Sequence, residues 1–256
     1  MAAGVSAAAQ NLRVEQRGTT VLVGIDRPEK RNALDEATIG ELHQVLDDHG
    51  RDPCVLVIHS TTPGIFVSGA DIAELLERDA DAALRAINAG LCEHLEAHRW
   101  PTIAAVDGWA LGGGCELALA CDLRLASPAA RFGQPELSLG IMAGAGGNWR
   151  LAQLVGLGAA RRMLYAGHVL DAEAARDAGL VDAVHPADEL LAAANALADE
   201  IAERSWRALE LTKLALRLAR PATTSFDIVG QALLFESDDK RQRMTDFLAR
   251  RSKATQ

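Results

Sequence analysis

The first two thirds of the chain alternate short apolar segments with segments of helical periodicity. Val21, Val23 and Ile25 alternate with other residues, which predicts a strand, and Asp35 can cap a helix that follows. Two continuous apolar runs, 54–58 and 102–106, predict buried strands. Helical periodicity returns after each of them, and after the first it covers 82–97. Strands that alternate with helices need crossover connections, so the pattern predicts an α/β fold.

The last third of the chain has a different character. Helical periodicity covers 169–178, 188–203, 206–219, 226–236 and 239–251, and only 181–185 suggests a strand. We therefore expect an α/β core over residues 11–195 and a helical C-terminal region over 196–256. The Ala-rich residues 1–10 are expected to form a flexible tail.

Charge and apolar content narrow the class of protein. The 256 residues carry 35 Asp and Glu against 26 Lys and Arg, a net charge of -9, which argues against nucleic acid or an anionic membrane as partner. No run of 18 apolar residues predicts a membrane span, and the N-terminus lacks a secretory pattern. The four cysteines lack metal or redox spacing and lie in apolar surroundings, so we expect buried thiols in the reducing cytoplasm.

Two irregular turns stand between a predicted strand and a predicted helix. Three glycines, 112–114, allow close backbone approach and leave unpaired N–H groups at a helix start. The spacing fits neither a dinucleotide fingerprint nor a P-loop. Residues 65–71 form a second turn of this kind. Either turn alone can be a tight connection, but two of them could aim two N–H donors at one point and form an oxyanion hole.

Two carboxylates accompany these turns. Glu116 opens an apolar helix, and Glu136 follows Pro135 in an apolar stretch, where a solvated turn carboxylate is the simpler interpretation. If both are half-buried and close together, burial and repulsion raise their pKa values toward neutral pH and suit them to acid/base chemistry. His94 and His98 are four residues apart, but no third ligand accompanies them, so we interpret them as an exposed helix face.

Six segments together resemble the crotonase superfamily, and within it the enoyl-CoA hydratase/isomerase family. Each segment is weak alone, but they occur in the order of the family and span about residues 12–250. The segments are Ile25–Leu34, Phe66–Ile72, Ile103–Ala118, Phe132–Glu136, Gly144–Gly147 and Ala178–Val181.

The resemblance implies a fold and a substrate class. The fold is a crotonase-like core of repeated ββα units with a C-terminal helical trimerisation region, assembled as a trimer or a dimer of trimers. The substrate is an acyl-CoA thioester, and no metal or separate cofactor is expected, because CoA is part of the substrate.

The resemblance also implies a reaction and the residues that perform it. Position by position, the backbone N–H groups of Ala70 and Gly113 are the oxyanion donors. Glu116 and Glu136 match the two glutamates that hydrate a 2-trans-enoyl-CoA to a 3-hydroxyacyl-CoA, with Glu136 as the main acid/base and Glu116 activating water. Double-bond isomerisation on the same fold, and a non-catalytic CoA-binding or scaffold protein, remain alternatives.

Binding residues follow from the same comparison. Lys30, Arg31, Ser68 and Gly144 are expected at the CoA and thioester site, and Arg250, Arg251 or Lys253 could add positive charge from a neighbouring subunit. The chain departs from the family pattern at 143 and at 148–149. If Trp149 points inward, it shortens the acyl pocket; acyl chain length is therefore open.

Overall fold

The computed structural model describes residues 10–218 and 224–254, and it describes side-chain surroundings for all of these except 218, 224–227 and 251–254. In these residues ten strands form, in two sheets. The strands are β1 (Leu12–Arg17), β2 (Thr20–Ile25), β3 (Val55–Ser60), β4 (Ile65–Val67), β5 (Thr102–Val106), β6 (Trp109–Leu111), β7 (Leu123–Ala126), β8 (Arg131–Gly133), β9 (Leu170–Asp171) and β10 (Ala183–Val184).

The same residues form eleven α-helices and two short 3₁₀ turns, at Pro28–Lys30 and Glu136–Leu139. The helices are α1 (Glu36–Asp48), α2 (Ile72–Glu77), α3 (Ala80–Leu84), α4 (Ile87–Ala97), α5 (Gly113–Ala120), α6 (Gly147–Ala166), α7 (Ala172–Asp177), α8 (Leu190–Ala202), α9 (Trp206–Leu218), α10 (Thr224–Phe235) and α11 (Asp238–Ala254).

The strands are arranged as repeated ββα units. One sheet has the order β1-β2-β3-β5-β7-β10 and the other the order β4-β6-β8-β9. In each of the units β3-β4-α2, β5-β6-α5 and β7-β8-α6, the first strand joins the larger sheet and the second joins the smaller one. From β2 to β10 the larger sheet is parallel, and β1 adds to its edge antiparallel. The predicted α/β fold of repeated ββα units is confirmed.

The larger sheet has an apolar core on each face. Along β3, Leu56 and Ile58 face the main core, whereas Val55 and Val57 face a second core that α8 covers. Side chains of a strand alternate between faces, so a strand buried on both sides becomes a continuous apolar run. The helix α8 spans the expected boundary at 195/196 and packs on the sheet through Leu190, Ala194 and Ala198, among others.

The predicted helix over 82–97 is interrupted, and this affects the cavity described below. Ala86 has φ 53°, a left-handed conformation that an α-helix cannot contain, and it separates α3 from α4. The periodicity of 82–97 passes through this break because alanine gives no breaker signal. The region 169–178 likewise begins with the short β9 before α7.

Three further predictions concern the N-terminal tail, the cysteines and membrane-spanning segments. Residues 1–9 of the expected tail lie outside the described residues, whereas the Gln10 N–H donates to Glu41 Oε1 at 3.1 Å. All four cysteines are buried free thiols, as predicted, and burial raises the pKa of Cys54 to about 11. In the parts of the chain that the structure describes, no helix is both long and apolar enough to cross a membrane.

Candidate active site

A cavity opens beside the turns that follow β4 and β6. Its walls come from α2, α3, the start of α4, the start of α5, the 3₁₀ turn at Glu136–Leu139 and α10. Six of the residues predicted from the sequence line this one cavity: Ser68, Ala70, Gly113, Glu116, Glu136 and Gly144.

The two predicted amide donors lie on neighbouring turns. A Cβ placed on Gly113 would be 3.5 Å from the nitrogen of Ala70, so the turns approach closely. The bridge between Leu34 and Ala70 uses the Gly69 carbonyl and the Asp71 N–H, which leaves the Ala70 N–H outside the pairing. Gly113 is the first residue of α5, where N–H groups have no acceptor within the helix. Both amides are therefore available to an anionic oxygen.

Glu116 is held by the turn that leads into α6. It lies in the first turn of α5 and is 3% exposed. Its Oε1 accepts hydrogen bonds from the N–H groups of Ala145 at 2.8 Å and Gly147 at 2.9 Å. Gly147 begins α6, so the amides at this helix start bind the glutamate, and Gly144 beside them lines the cavity.

Glu136 lines the same cavity from the 3₁₀ turn at Glu136–Leu139. It opens the 3₁₀ turn after Pro135 and is 8% exposed, and a Cβ added at Gly112 would lie 2.9 Å from its Oε1. Burial, and then the nearby charge of Glu116, raise the pKa of Glu136 well above the usual value for a glutamate. The expectation of two buried, interacting carboxylates is therefore confirmed, and the simpler interpretation of Glu136 as a solvated turn residue is wrong.

Sequence reasoning did not assign a role to Gln134, although it lies inside a segment that was singled out. It is buried, and with its amide nitrogen toward Glu136 it donates to both carboxylate oxygens, at 2.8 and 3.1 Å. It thereby fixes the orientation of the Glu136 carboxylate.

A second residue that sequence reasoning missed supports the Glu116 turn. Arg150 is 5% exposed, and its Nη1 donates to the Ala145 carbonyl at 2.6 Å. Its Nη2 lies 2.6 Å from Oε2 of Glu96, and its guanidinium carbon lies 4.4 Å from the Trp149 ring centroid. These contacts link Glu96, Arg150, Ala145 and Glu116, and they thereby connect α4 to the turn that holds Glu116.

The predicted CoA-binding residues are only partly brought together. Ser68 lines the cavity, and its N–H donates to the Arg31 carbonyl at 3.2 Å. Lys30 and Arg31 lie next to it at the surface; the Lys30 side chain is 53% exposed, with Nζ 3.7 Å from Asp71 Oδ2. Neither side chain lines the described cavity wall. The side chains of Arg251 and Lys253 lie outside the described residues, and Arg250 is exposed.

The predictions for Trp149 and for the His94–His98 pair differ from what the structure shows. Trp149 is buried beside Arg150 and is absent from the described cavity wall, so it does not shorten the pocket. The exposed face expected for His94 and His98 is wrong for His98, which is buried because α4 ends at Ala97 and its backbone leaves the helical path. Among the described residues, no three His, Cys, Asp or Glu side chains are arranged to hold a metal ion.

Comparisons with known proteins agree on one family. The family model described as enoyl-CoA hydratase/isomerase matches residues 15–254. A 2,3-dehydroadipyl-CoA hydratase of Escherichia coli is 38% identical, covering 94% of this chain and 96% of the relative. A crotonyl-CoA hydratase of Syntrophomonas wolfei is 37% identical over 94% and 96%. The crystal structure of an enoyl-CoA hydratase from Mycobacterium avium subsp. paratuberculosis superimposes with a TM-score of 0.83 at 29% identity, covering 95% of this chain and 97% of that one.

Proposed function

Because the chain belongs to the enoyl-CoA hydratase/isomerase family, we propose that its cavity adds water across the double bond of a 2-trans-enoyl-CoA and forms the 3-hydroxyacyl-CoA. One observation carries the assignment of residues: two available amides and two buried carboxylates line a single cavity. The amides are those of Ala70 and Gly113, and the carboxylates are those of Glu116 and Glu136.

The amides act on the charge that forms during the reaction. When water attacks C3, the electrons of the double bond move through C2 toward the thioester oxygen, which becomes negative. The N–H groups of Ala70 and Gly113 donate to this oxygen, and each such donor contributes about 3 kcal/mol in other oxyanion holes. The donors are backbone groups on packed turns, so they need little reorganisation when the charge appears.

The carboxylates divide the proton transfers. Burial and the nearby charge of Glu116 raise the pKa of Glu136 and so favour its protonated form, which can deliver a proton to C2. Glu116, held by two amides, accepts the proton that water loses as its oxygen bonds to C3. Return of that proton from Glu116 to Glu136 restores the starting state. The addition is redox-neutral, so it requires no cofactor beyond the CoA of the substrate.

The rest of the substrate fits the surroundings of the cavity. CoA is anionic, and Ser68 on the cavity wall lies beside the exposed Lys30 and Arg31, which would bring positive charge to a protein of net charge -9. The proposed location is the cytoplasm, where the buried thiols stay reduced.

Self-association is part of the proposal. Leu211, Leu214 and Leu216 on α9 and Leu233 on α10 are large apolar side chains with 45% or more of their surface exposed. Such a surface favours contact with further copies of the chain, as a trimer or a dimer of trimers.

Crotonyl-CoA offered to the purified protein tests the function. The conjugated thioester absorbance should decrease as substrate is hydrated. A rate of decrease that is about 100-fold or more lower in Glu136→Gln and in Glu116→Gln supports hydration. The exposed Glu173→Gln is the matched control and should keep full activity. Conversion of a 3-enoyl-CoA that survives Glu116→Gln would instead indicate isomerisation. Binding of CoA esters without turnover across several acyl chains would indicate a scaffold.

A further inference from the structure

One buried cation on the cavity wall has no role in the proposed hydration. Arg78 directly follows α2, lines the cavity and is 9% exposed. Its Nε is buried and has no hydrogen-bond partner among the described residues. An unsatisfied buried donor on a charged group is costly, so the protein itself does not fully compensate this guanidinium.

The existing partners of Arg78 occupy only one edge of its guanidinium. Nη1 donates to Asn88 Oδ1 at 2.8 Å. Nη2 has only long contacts, 3.5 Å to Glu74 and 3.8 Å to Glu36, and both glutamate side chains are more than a third exposed. Nη2 therefore has only one long hydrogen bond, and because it belongs to a guanidinium on the cavity wall it can donate a stronger, charge-assisted hydrogen bond to a bound carboxylate.

The other buried arginines in the described chain have close acceptors for their terminal nitrogens, although the Nε of Arg150 is also buried without a partner. Arg27 lies 2.7 Å from Asp35, and Arg150 lies 2.6 Å from Glu96. Arg124 donates to several backbone carbonyls. Arg78 differs from these three because it combines burial, a place on the cavity wall and an incomplete set of acceptors.

The position of Arg78 places it beyond the reacting carbons. The six residues of α2, which span about 9 Å along the helix axis, lie between Asp71, the neighbour of Ala70, and Arg78. Apolar side chains line the wall around it, including Leu75, Ala82, Ala83 and Phe235. An acyl chain bound through its thioester oxygen at Ala70 can thus extend through an apolar passage toward a guanidinium.

We propose that Arg78 determines acyl specificity, and that the preferred substrates of this chain carry a carboxylate at the far end of a short enoyl chain. The proposal rests on the hydration proposed above. Among the side chains of the described cavity wall, Arg78 is the cation, and the two catalytic glutamates would repel an acyl carboxylate placed near them. The carboxylate is therefore accepted only at the guanidinium of Arg78.

Two substrates of equal carbon number test the proposal: 2,3-dehydroadipyl-CoA, which ends in a carboxylate, and trans-2-hexenoyl-CoA, which ends in a methyl group. We expect the unaltered protein to show a kcat/KM about 10- to 100-fold higher for the carboxylate substrate, the range given by hydrogen bonds to a charged group. In Arg78→Met this ratio should fall to one or below. Arg78→Gln, which removes the charge and can still donate to Asn88, should lower the ratio in the same way and serves if Arg78→Met fails to fold.

The readout separates a specificity role from a structural one. A purely structural Arg78 would lower both kcat/KM values together and leave their ratio unchanged, which would overturn the proposal. The exposed Arg85→Met is the matched control, and it should leave both values unchanged. Turnover of hexenoyl-CoA without any preference for the carboxylate overturns this inference alone. Absence of turnover with both substrates, and with crotonyl-CoA, overturns the proposed function as well.

Discussion

At the scale of single residues, the same side chain acquires two roles from two surroundings. Glu116 is fixed by the amides of Ala145 and Gly147, whereas Glu136 is buried against the glycine turn and close to the charge of Glu116. A pair of titratable groups in environments that push their pKa values apart is how proteins assign an acid and a base.

The interaction within the pair makes a titration prediction. The charge of Glu116 raises the pKa of Glu136, because a second negative charge nearby is unfavourable. Glu116→Gln removes that charge, so the pKa of Glu136 should fall while staying above the ordinary value, since burial remains. Carboxyl ¹³C NMR titration of both proteins measures it. An unchanged or higher pKa of Glu136 in the variant would contradict the coupling.

Arg150 should influence the rate without touching substrate. Arg150→Met removes its hydrogen bond to the Ala145 carbonyl and its ion pair with Glu96, so the turn that holds Glu116 loses its support. Misplacement of about 1 Å costs around 100-fold, and we expect a kcat loss of 10- to 100-fold with a smaller change in KM. Arg176→Met, at an exposed position, is the control. A variant that changes KM alone would show that Arg150 acts on binding.

Residues of the site differ in how far the sequence predicts them. Glu116 and Gly113 belong to a contiguous motif with a physical signature, so they are predictable. Arg150 and Glu96 are 54 positions apart, and no local pattern indicates that they meet. Arg78 lies at the end of an ordinary amphipathic segment, and only the folded cavity shows that it is buried.

At the scale of elements, the site depends on the close approach of turns. The first turn of α5 packs on β4 so tightly that a Cβ on Gly114 would lie 2.2 Å from the Val67 carbonyl oxygen. The left-handed Ala86, which the sequence did not reveal, ends α3 and lets α4 begin at the cavity wall with Ile87 and Asn88. Local periodicity predicts helices, but it does not predict where tertiary packing interrupts them.

Gly114→Ala tests this packing. The added methyl collides with backbone, which cannot move aside as a flexible side chain can, so we expect a loss of about 1–3 kcal/mol in the free energy of unfolding. Gly40→Ala lies in the middle of α1 with no atom near its Cβ, and it should be neutral or stabilising by up to about 1 kcal/mol. Urea denaturation measures both variants. Equal stability of the two variants would show that the turn is less tightly packed than described.

At the scale of the whole molecule, the cavity lies between the ββα core and the C-terminal helices. Core residues provide the amides and carboxylates, and Ile228, Gln231 and Phe235 of α10 close one wall. The buried strands and the two-faced core follow from apolar runs that the sequence shows plainly. The placement of α10 on the cavity depends on long-range contacts that periodicity does not report.

Association of copies is the prediction at this scale. Sedimentation velocity should give a mass of three or six chains, because exposed leucines of α9 and α10 are removed from water by contact between subunits. Leu233→Glu places a charge on this surface and should shift the distribution toward smaller species. A single monomer species of the unaltered protein at micromolar concentration would contradict the prediction.

The central claim concerns where the thioester oxygen binds, and a crystal structure of the Glu116→Gln, Glu136→Gln double variant with crotonyl-CoA tests it most directly. The account predicts this oxygen at 2.7–3.1 Å from the nitrogens of both Ala70 and Gly113, with C2 facing residue 136 and C3 facing residue 116. A thioester oxygen bound away from these two amides, or an alkene that contacts neither side chain, would contradict it.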